Sequence, residues 1–227
     1  IFNLNQLPMK NILATLTYNQ FYHIFNCTNN KEVLFRSNEN KRYFLRLVKL
    51  RLAGYLRFYA YALLGNHFHF AVSVRSEEEI EAYIRTIPLN ECRKSELDFL
   101  ENSSCAREVH KLISIQLSRV FNSYSQAINK RYARRGHLFH TPYKRLHVNS
   151  KIRLTHLIYY IHHNSRKHGM VKDFLSDSWH SYHDILSDKE SFLQHQFVLD
   201  LFGGEDGYVE FHFGKYLESD FRELSIE

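Results

Sequence analysis

The sequence predicts an α+β sandwich: a ferredoxin-like antiparallel sheet with helices on one face, followed by a helical C-terminal extension. Three observations lead there. Residues 12–28 and 67–74 alternate apolar and polar side chains, as half-buried strands do. Segments 37–55, 75–87, 107–132 and 151–168 instead carry apolar residues at helical spacing. The order along the chain is strand, helix, strand, strand, helix, strand, helix, which suits an antiparallel sheet packed against helices.

The elements can be justified in order. "ILATLTYNQFYHIFNCT" (12–28) reads as the first strand. In 37–55, Leu45, Leu47, Val48 and Leu52 share a helical face, and Ser37 or Asn38 can cap the start. Gly65-Asn66 is a turn signal between aromatic and β-branched runs, predicting a hairpin of 56–64 and 67–74. "RSEEEIEAYIRTI" (75–87) opens with acidic residues, which the positive end of a helix favours, and Pro88 ends it. Residues 89–107 are polar and irregular and read as a mobile loop. A long amphipathic helix over 107–132 stops before Gly136, and 137–148 reads as a strand or hairpin. Asn149 and Ser150 cap a helix that Gly169 terminates. From about 187 the chain reads as an appended helical element.

Composition narrows the function. The chain has 227 residues, 44% of them hydrophobic, enough for one elaborated domain with a real core. No apolar run approaches the length of a membrane span, so no membrane partner is expected. The opening residues lack the order of a signal peptide. Cys27, Cys92 and Cys105 are odd in number and scattered, which argues against a disulfide framework or a zinc ribbon and suits a reducing cytoplasm. A net charge of +6 favours a polyanionic partner, and the 15 Tyr and 18 Phe supply rings on which unstacked bases can rest.

The stretch "YALLGNHFHFAV" (61–72) raises the sharpest question. His67 and His69 flank Phe68 inside an apolar run, and side chains two apart on a strand share a face. Two such imidazoles can reach one metal ion. With 15 histidines in the chain, about one such pair is expected from composition alone, so the pair needs partners. The helix 151–168 offers them. His156, Tyr160 and Asn164 follow at intervals of four on one face. A phenol is a poor nucleophile at neutral pH unless another group carries the charge of the reacting centre. A divalent ion on His67 and His69 can do so by binding a phosphate oxygen. Asn164 offers a carbonyl oxygen to the same ion, and this mixed donor set suits Mg²⁺ or Mn²⁺ better than a structural zinc. The plainer readings are a core aromatic for Tyr160, a cap for Asn164, and surface positions or phosphate contacts for His162, His163 and His168.

Five pieces extend the pattern: "YHIFN" (22–26), "YALLGNHFHFAV" (61–72), "RYARRGHLFHTPYKRLHV" (131–148), "LIYYIHHNSRKHGMV" (157–171) and "SDSWHSYHDIL" (176–186). In this order they resemble the REP-associated tyrosine transposases, members of the HUH-type single-tyrosine transposases of small bacterial insertion sequences. The resemblance covers roughly 12–186. It implies that His67 and His69 are metal ligands, that Tyr160 in Tyr160-Ile161-His162-His163-Asn164 is the nucleophile, and that Asn164 is the third ligand. The sequence departs from the family pattern at Ser165, where Pro usually follows Asn, and at Gly65, where Pro commonly precedes Asn-His. Both changes leave the reacting groups in place.

The resemblance implies a catalytic domain over 1–186 and an extension over 187–227. It implies a cytoplasmic, metal-dependent DNA strand transferase that cleaves and rejoins single-stranded or hairpin DNA through a 5′-phosphotyrosine. Mg²⁺ or Mn²⁺ is the expected cofactor and DNA the expected partner, with a homodimer compatible. The basic segment supplies Lys130, Arg131, Arg134, Arg135, Lys144 and Arg145 as DNA contacts, interleaved with Tyr132, Phe139 and Tyr143. Two rival readings remain: a DNA-binding module without cleavage, and a phosphodiesterase in which the histidines and their metal activate water.

Overall fold

The computed structural model describes residues 12–29, 32–102, 106–187 and 189–214. Cys105 and both ends of the chain, including the last part of the expected extension, lie outside the described residues. β1 (Phe21–Cys27) leads into α1 (Asn38–Leu52), followed by the hairpin strands β2 (Leu56–Leu63) and β3 (His67–Val74). Next come α2 (Glu77–Arg85), α3 (Lys94–Asn102), α4 (Ala106–Arg131), β4 (Lys144–Val148) and α5 (Lys151–Lys167). A short 3-10 turn at Phe174–Ser176 precedes α6 (Tyr182–Ile185), α7 (His195–Phe202) and α8 (Glu205–Phe213). The strands form one sheet in the order β2-β3-β1-β4, every neighbouring pair antiparallel. This is the α+β class with the antiparallel sheet expected above.

The pleat divides the side chains of β3. Phe68, Phe70 and Val72 point to one face with Ile24 and Tyr22 of β1, while His67, His69 and Ala71 point to the other with Phe25 and His23. α1 and α4 cover the phenylalanine face. The ring of Phe44 in α1 lies 5.1 Å from Phe68, 6.2 Å from Phe70 and 5.1 Å from Tyr124 of α4. α5 crosses the histidine face, where Tyr160 meets His69 and His23. The two crossover helices thus occupy the single face expected for them, and α5 with the C-terminal helices adds a layer on the opposite side. The physical reason lies in the strands. β2 and β3 are buried along nearly their whole length, so neither face of the sheet can be left to water.

Local chemistry explains the boundaries. Ser37 caps α1 by accepting from Asn40 N–H, and Ser76 and Glu79 form a reciprocal capping box at α2. Ser150 caps α5 by accepting from Arg153 N–H, and Gly169, with φ of 66°, follows its end.

Three expectations change. The first strand begins at Phe21 rather than near 12, because Asn19 adopts a left-handed φ of 58° and breaks the extended run. The preceding segment is held by Tyr22, whose hydroxyl donates to Thr15 O and accepts from Thr17 N–H. The expected loop at 89–107 contains α3. Its Glu96 is buried, accepts from Arg119 at 3.1 Å and from Arg93 N–H, and Phe99 is buried beside it. This tertiary anchoring of a polar segment leaves no clear periodic trace in sequence. Of the expected strand or hairpin at 137–148, only 144–148 joins the sheet as a strand, with Phe139 bridging to Thr28.

The extension packs onto the same body. Gln194 N–H donates to Phe58 O of β2, and Val198 and Tyr208 join the common hydrophobic core. No helix among the described residues is long and apolar enough to cross a membrane.

Phe44 contacts both aromatic strand residues and α4, so Phe44→Ala should cost about 3–5 kcal/mol through lost burial and the cavity left behind. Urea unfolding of the two proteins measures this, and a loss under about 1 kcal/mol would contradict the packing described.

Candidate active site

The site forms where α5 lies over β3 and β1. The rings of His67 and His69 are 5.0 Å apart and nearly perpendicular. The ring of Tyr160 stands edge-on to His69 at 5.8 Å and to His23 at 6.0 Å. One helical turn further on, Asn164 Oδ1 lies 3.2 Å from His67 Nε2. The structure therefore brings together the four residues singled out from sequence: His67, His69, Tyr160 and Asn164. His69, Tyr160 and Asn164 are buried, and only His67 reaches partly to solvent.

Hydrogen bonding gives this cluster a direction. His67 Nδ1 lies 2.7 Å from Asn66 Oδ1, which can only accept, so Nδ1 carries the proton. In the neutral ring Nε2 is then an acceptor as well, and it faces Asn164 Oδ1, a second acceptor. A proton on Nε2 or a cation shared between the two atoms would make this approach favourable. Asn164 Nδ2 is buried without a hydrogen-bond partner among the described residues. An amide turned over would place Nδ2 against His67; the orientation in the structure instead offers two donor atoms to one cation. These donors fit the metal inferred from sequence. Among the described residues no group of three or more His, Cys, Asp or Glu could hold a metal, and Asn164 is the side-chain oxygen donor that the structure places against His67.

The second imidazole is also held on its Nδ1 side. His23 Nε2 lies 2.8 Å from His69 Nδ1, and Phe25 stacks on both rings. Sequence reasoning passed over His23. Its signal was present in the "YHIFN" piece, but nothing in the sequence said that β1 and β3 are neighbours.

The sequence singled out Tyr160 over its neighbour Tyr159, and the helix sends the two opposite ways. Tyr160 meets the sheet, whereas Tyr159 stacks on His163 at 3.9 Å and faces Phe211 of α8. His156, one turn before Tyr160, stacks on Phe211 and stays out of the cluster. His162 and His163 are buried, contrary to the surface positions expected, because the extension covers that side of α5.

A chain of hydrogen bonds runs from the sheet through α5 into α8. Tyr61 N–H of β2 donates to Ser181 Oγ, which contacts His162 Nε2 at 2.8 Å. His162 Nδ1 meets His212 Nε2 at 2.8 Å, and His212 Nδ1 meets Tyr208 O at 2.7 Å. The terminal carbonyl can only accept, so His212 Nδ1 donates to it, and with both rings neutral every other proton in the chain points the same way. Burial agrees: it pushes His162 well below the ordinary value and His212 down to about 3.

The basic residues do not share one surface. Lys144 points to the histidine face, with Nζ 5.5 Å from the Phe25 ring that stacks on His69. Arg145 turns to the opposite face, donates to Ala14 O and lies over Tyr143. Arg134 makes a two-pronged ion pair with Glu32, at 2.6 and 2.8 Å, and also binds the carbonyls of Gly136 and His137. Arg131 pairs with Glu39, and Lys130 and Arg135 are exposed. Near the site itself, Lys167 lies over the Tyr160 ring at 5.0 Å, and His168 is exposed beside His67.

His212, and in the same direction His180, is neutral when folded but titrates from the ordinary value of 6.5 when unfolded. The unfolded chain then binds more protons, so both contributions are intact above pH 6.5 and erode as pH falls below it, for His212 down toward about 3. Each fully neutral ring should steepen that loss by about 1.4 kcal/mol per pH unit. Urea unfolding at pH 7, 6 and 5 should show stability declining in that order, and a flat profile would contradict the neutral relay.

No family model matches the chain, and no curated protein matches it. Its fold is similar to a solved structure of a REP-associated tyrosine transposase bound to a REP hairpin. The two share 13% identity over 77% of this chain and 83% of that one, with a TM-score of 0.46. No residue's role follows from a likeness at this level.

Proposed function

We propose that the chain is a metal-dependent DNA strand transferase and endonuclease that cleaves and rejoins single-stranded or hairpin DNA, with Tyr160 as nucleophile. The observation that carries this reading is the meeting of α5 with β3: the Tyr160 ring against His69, and Asn164 Oδ1 aimed at His67 Nε2. A nucleophile and a donor set of two imidazoles and an amide lie within one helical turn of each other, on one side of the sheet. A divalent ion, Mg²⁺ or Mn²⁺, bound by His67, His69 and Asn164 would neutralise charge on the scissile phosphate.

The chain's own groups do the rest. The Tyr160 oxygen bonds to phosphorus as the bond to the 3′ oxygen breaks; the phenol gives up a proton and the leaving 3′ oxygen takes one up. The product is a 5′-phosphotyrosine and a free 3′-hydroxyl. The phosphodiester bond is exchanged rather than hydrolysed, so attack by a 3′-hydroxyl reverses the step without ATP. Tyr160 is 4% exposed, so the strand must approach from the side of His67, where Lys167 and His168 border the opening. Lys144 extends that cationic edge along β4.

Tyr160→Phe should abolish the covalent protein–DNA adduct on a denaturing gel while leaving DNA affinity nearly unchanged. His67→Ala should lower cleavage in Mg²⁺ by more than the about 10- to 100-fold typical of losing an outer-shell partner. Full cleavage by the Phe variant would transfer the reaction to activated water, and DNA binding without cleavage by the wild-type chain would leave a binding module.

The basic residues should divide by role. Lys144→Ala should weaken DNA binding and reduce the salt slope by about one phosphate contact. Arg134→Ala should lower the melting temperature, because it strands Glu32, and should leave the salt slope unchanged. Salt titrations and thermal unfolding of both variants separate these outcomes, and a reversed pattern would move the DNA path to the end of α4.

A further inference from the structure

We propose that His23 is the positioning residue of His69: it accepts the proton on His69 Nδ1 and so reserves Nε2 for the cation. The inference rests on the proposed function and adds a residue to it. His23 is 1% exposed, sits on the central strand β1 and shares a face with His69 through the β1–β3 register. Its Nε2 lies 2.8 Å from His69 Nδ1, and one hydrogen occupies that gap. If His23 donated it, His69 Nδ1 would accept, and the neutral ring of His69 would carry its proton on Nε2. That nitrogen would then have no lone pair for a cation. If His69 donates, Nε2 is the donor atom and His23 holds its own proton on Nδ1.

The neighbouring ligand sets the precedent. His67 is oriented in the same sense by Asn66 Oδ1, an obligate acceptor at 2.7 Å. Both imidazoles are thus gripped at Nδ1 by an acceptor and present Nε2. A metal-bound histidine commonly gives its second N–H to a carboxylate or carbonyl. Here an imidazole takes that place for His69 and adds no negative charge to a centre meant to receive a phosphate. Phe25, stacked on His23 at 4.5 Å and on His69 at 5.6 Å, restrains both rings against rotation.

The direct test is long-range ¹H–¹⁵N NMR of the imidazoles in the full, metal-free chain at pH 7.5. The expected result is a proton on Nδ1 of both His69 and His23. A proton on His69 Nε2 overturns the inference, and because this measurement uses the wild-type chain it does not depend on a variant folding. The second test is Mn²⁺ affinity by calorimetry. His23→Phe should weaken binding about 10- to 100-fold, and His23→Gln, whose Oε1 can stand in for the acceptor, should recover most of it. Unchanged Mn²⁺ affinity in His23→Phe, alongside loss in His69→Ala, overturns the role of His23 and leaves the metal centre intact. If neither the wild type nor His69→Ala binds Mn²⁺, the metal reading itself falls, and the tautomer measurement still decides the His23–His69 bond.

Discussion

An imidazole inside a covered sheet needs partners for its ring nitrogens, and on one face of β3 each histidine meets one on its Nδ1 side. An unpaired buried polar group costs of the order of 1–3 kcal/mol, comparable to a large core truncation. Asn66 answers for His67 and His23 for His69, each from the Nδ1 side. The same strand carries Phe68 and Phe70 on its other face, where they meet the aromatic cluster around Phe44. One strand therefore supplies core on one side and the proposed ligands on the other, and the core side holds the histidine side still.

The helix over the site is held from behind. The relay from Tyr61 through Ser181, His162 and His212 to Tyr208 ties α5 to the edge strand β2 and to α8. Its hydrogen bonds are directional, so it resists rotation of α5 more specifically than apolar packing alone would. Rotating the helix by one residue would exchange the directions of Tyr159 and Tyr160 and take the phenol away from His69. The C-terminal helices thereby contribute to the geometry of a proposed site whose residues all lie before residue 165.

Charge is distributed with similar economy. The cluster is built of imidazoles, a phenol and an amide, and the ammonium groups of Lys167 and Lys144 lie over rings that belong to it or border it. Arg134, in the most densely basic stretch of the sequence, is absorbed into an ion pair that closes the end of α4 onto Glu32. A count of basic residues therefore overstates the surface available to a polyanion. Their placement matters more, because an arginine already paired to a carboxylate adds little to the field outside.

Much of this was legible without coordinates. Side-chain periodicity, the Gly65-Asn66 turn and the serine caps placed α1, β2, β3, α2, α4 and α5 to within a few residues, because these signals act over one or two turns of chain, whereas the starts of β1 and β4 were misplaced by seven residues or more. The two-residue spacing of His67 and His69 and the four-residue spacing of Tyr160 and Asn164 determined which side chains share a face. The polar segment holding α3 was not legible, because Glu96 and Phe99 are organised by α4 rather than by their neighbours in sequence. His23 as partner of His69, the opposite directions of Tyr159 and Tyr160, the burial of His162 and His163, and the division of the arginines all required the fold. Strand order, register and the docking of the extension bring together groups tens of residues apart, and local spacing carries no record of those distances.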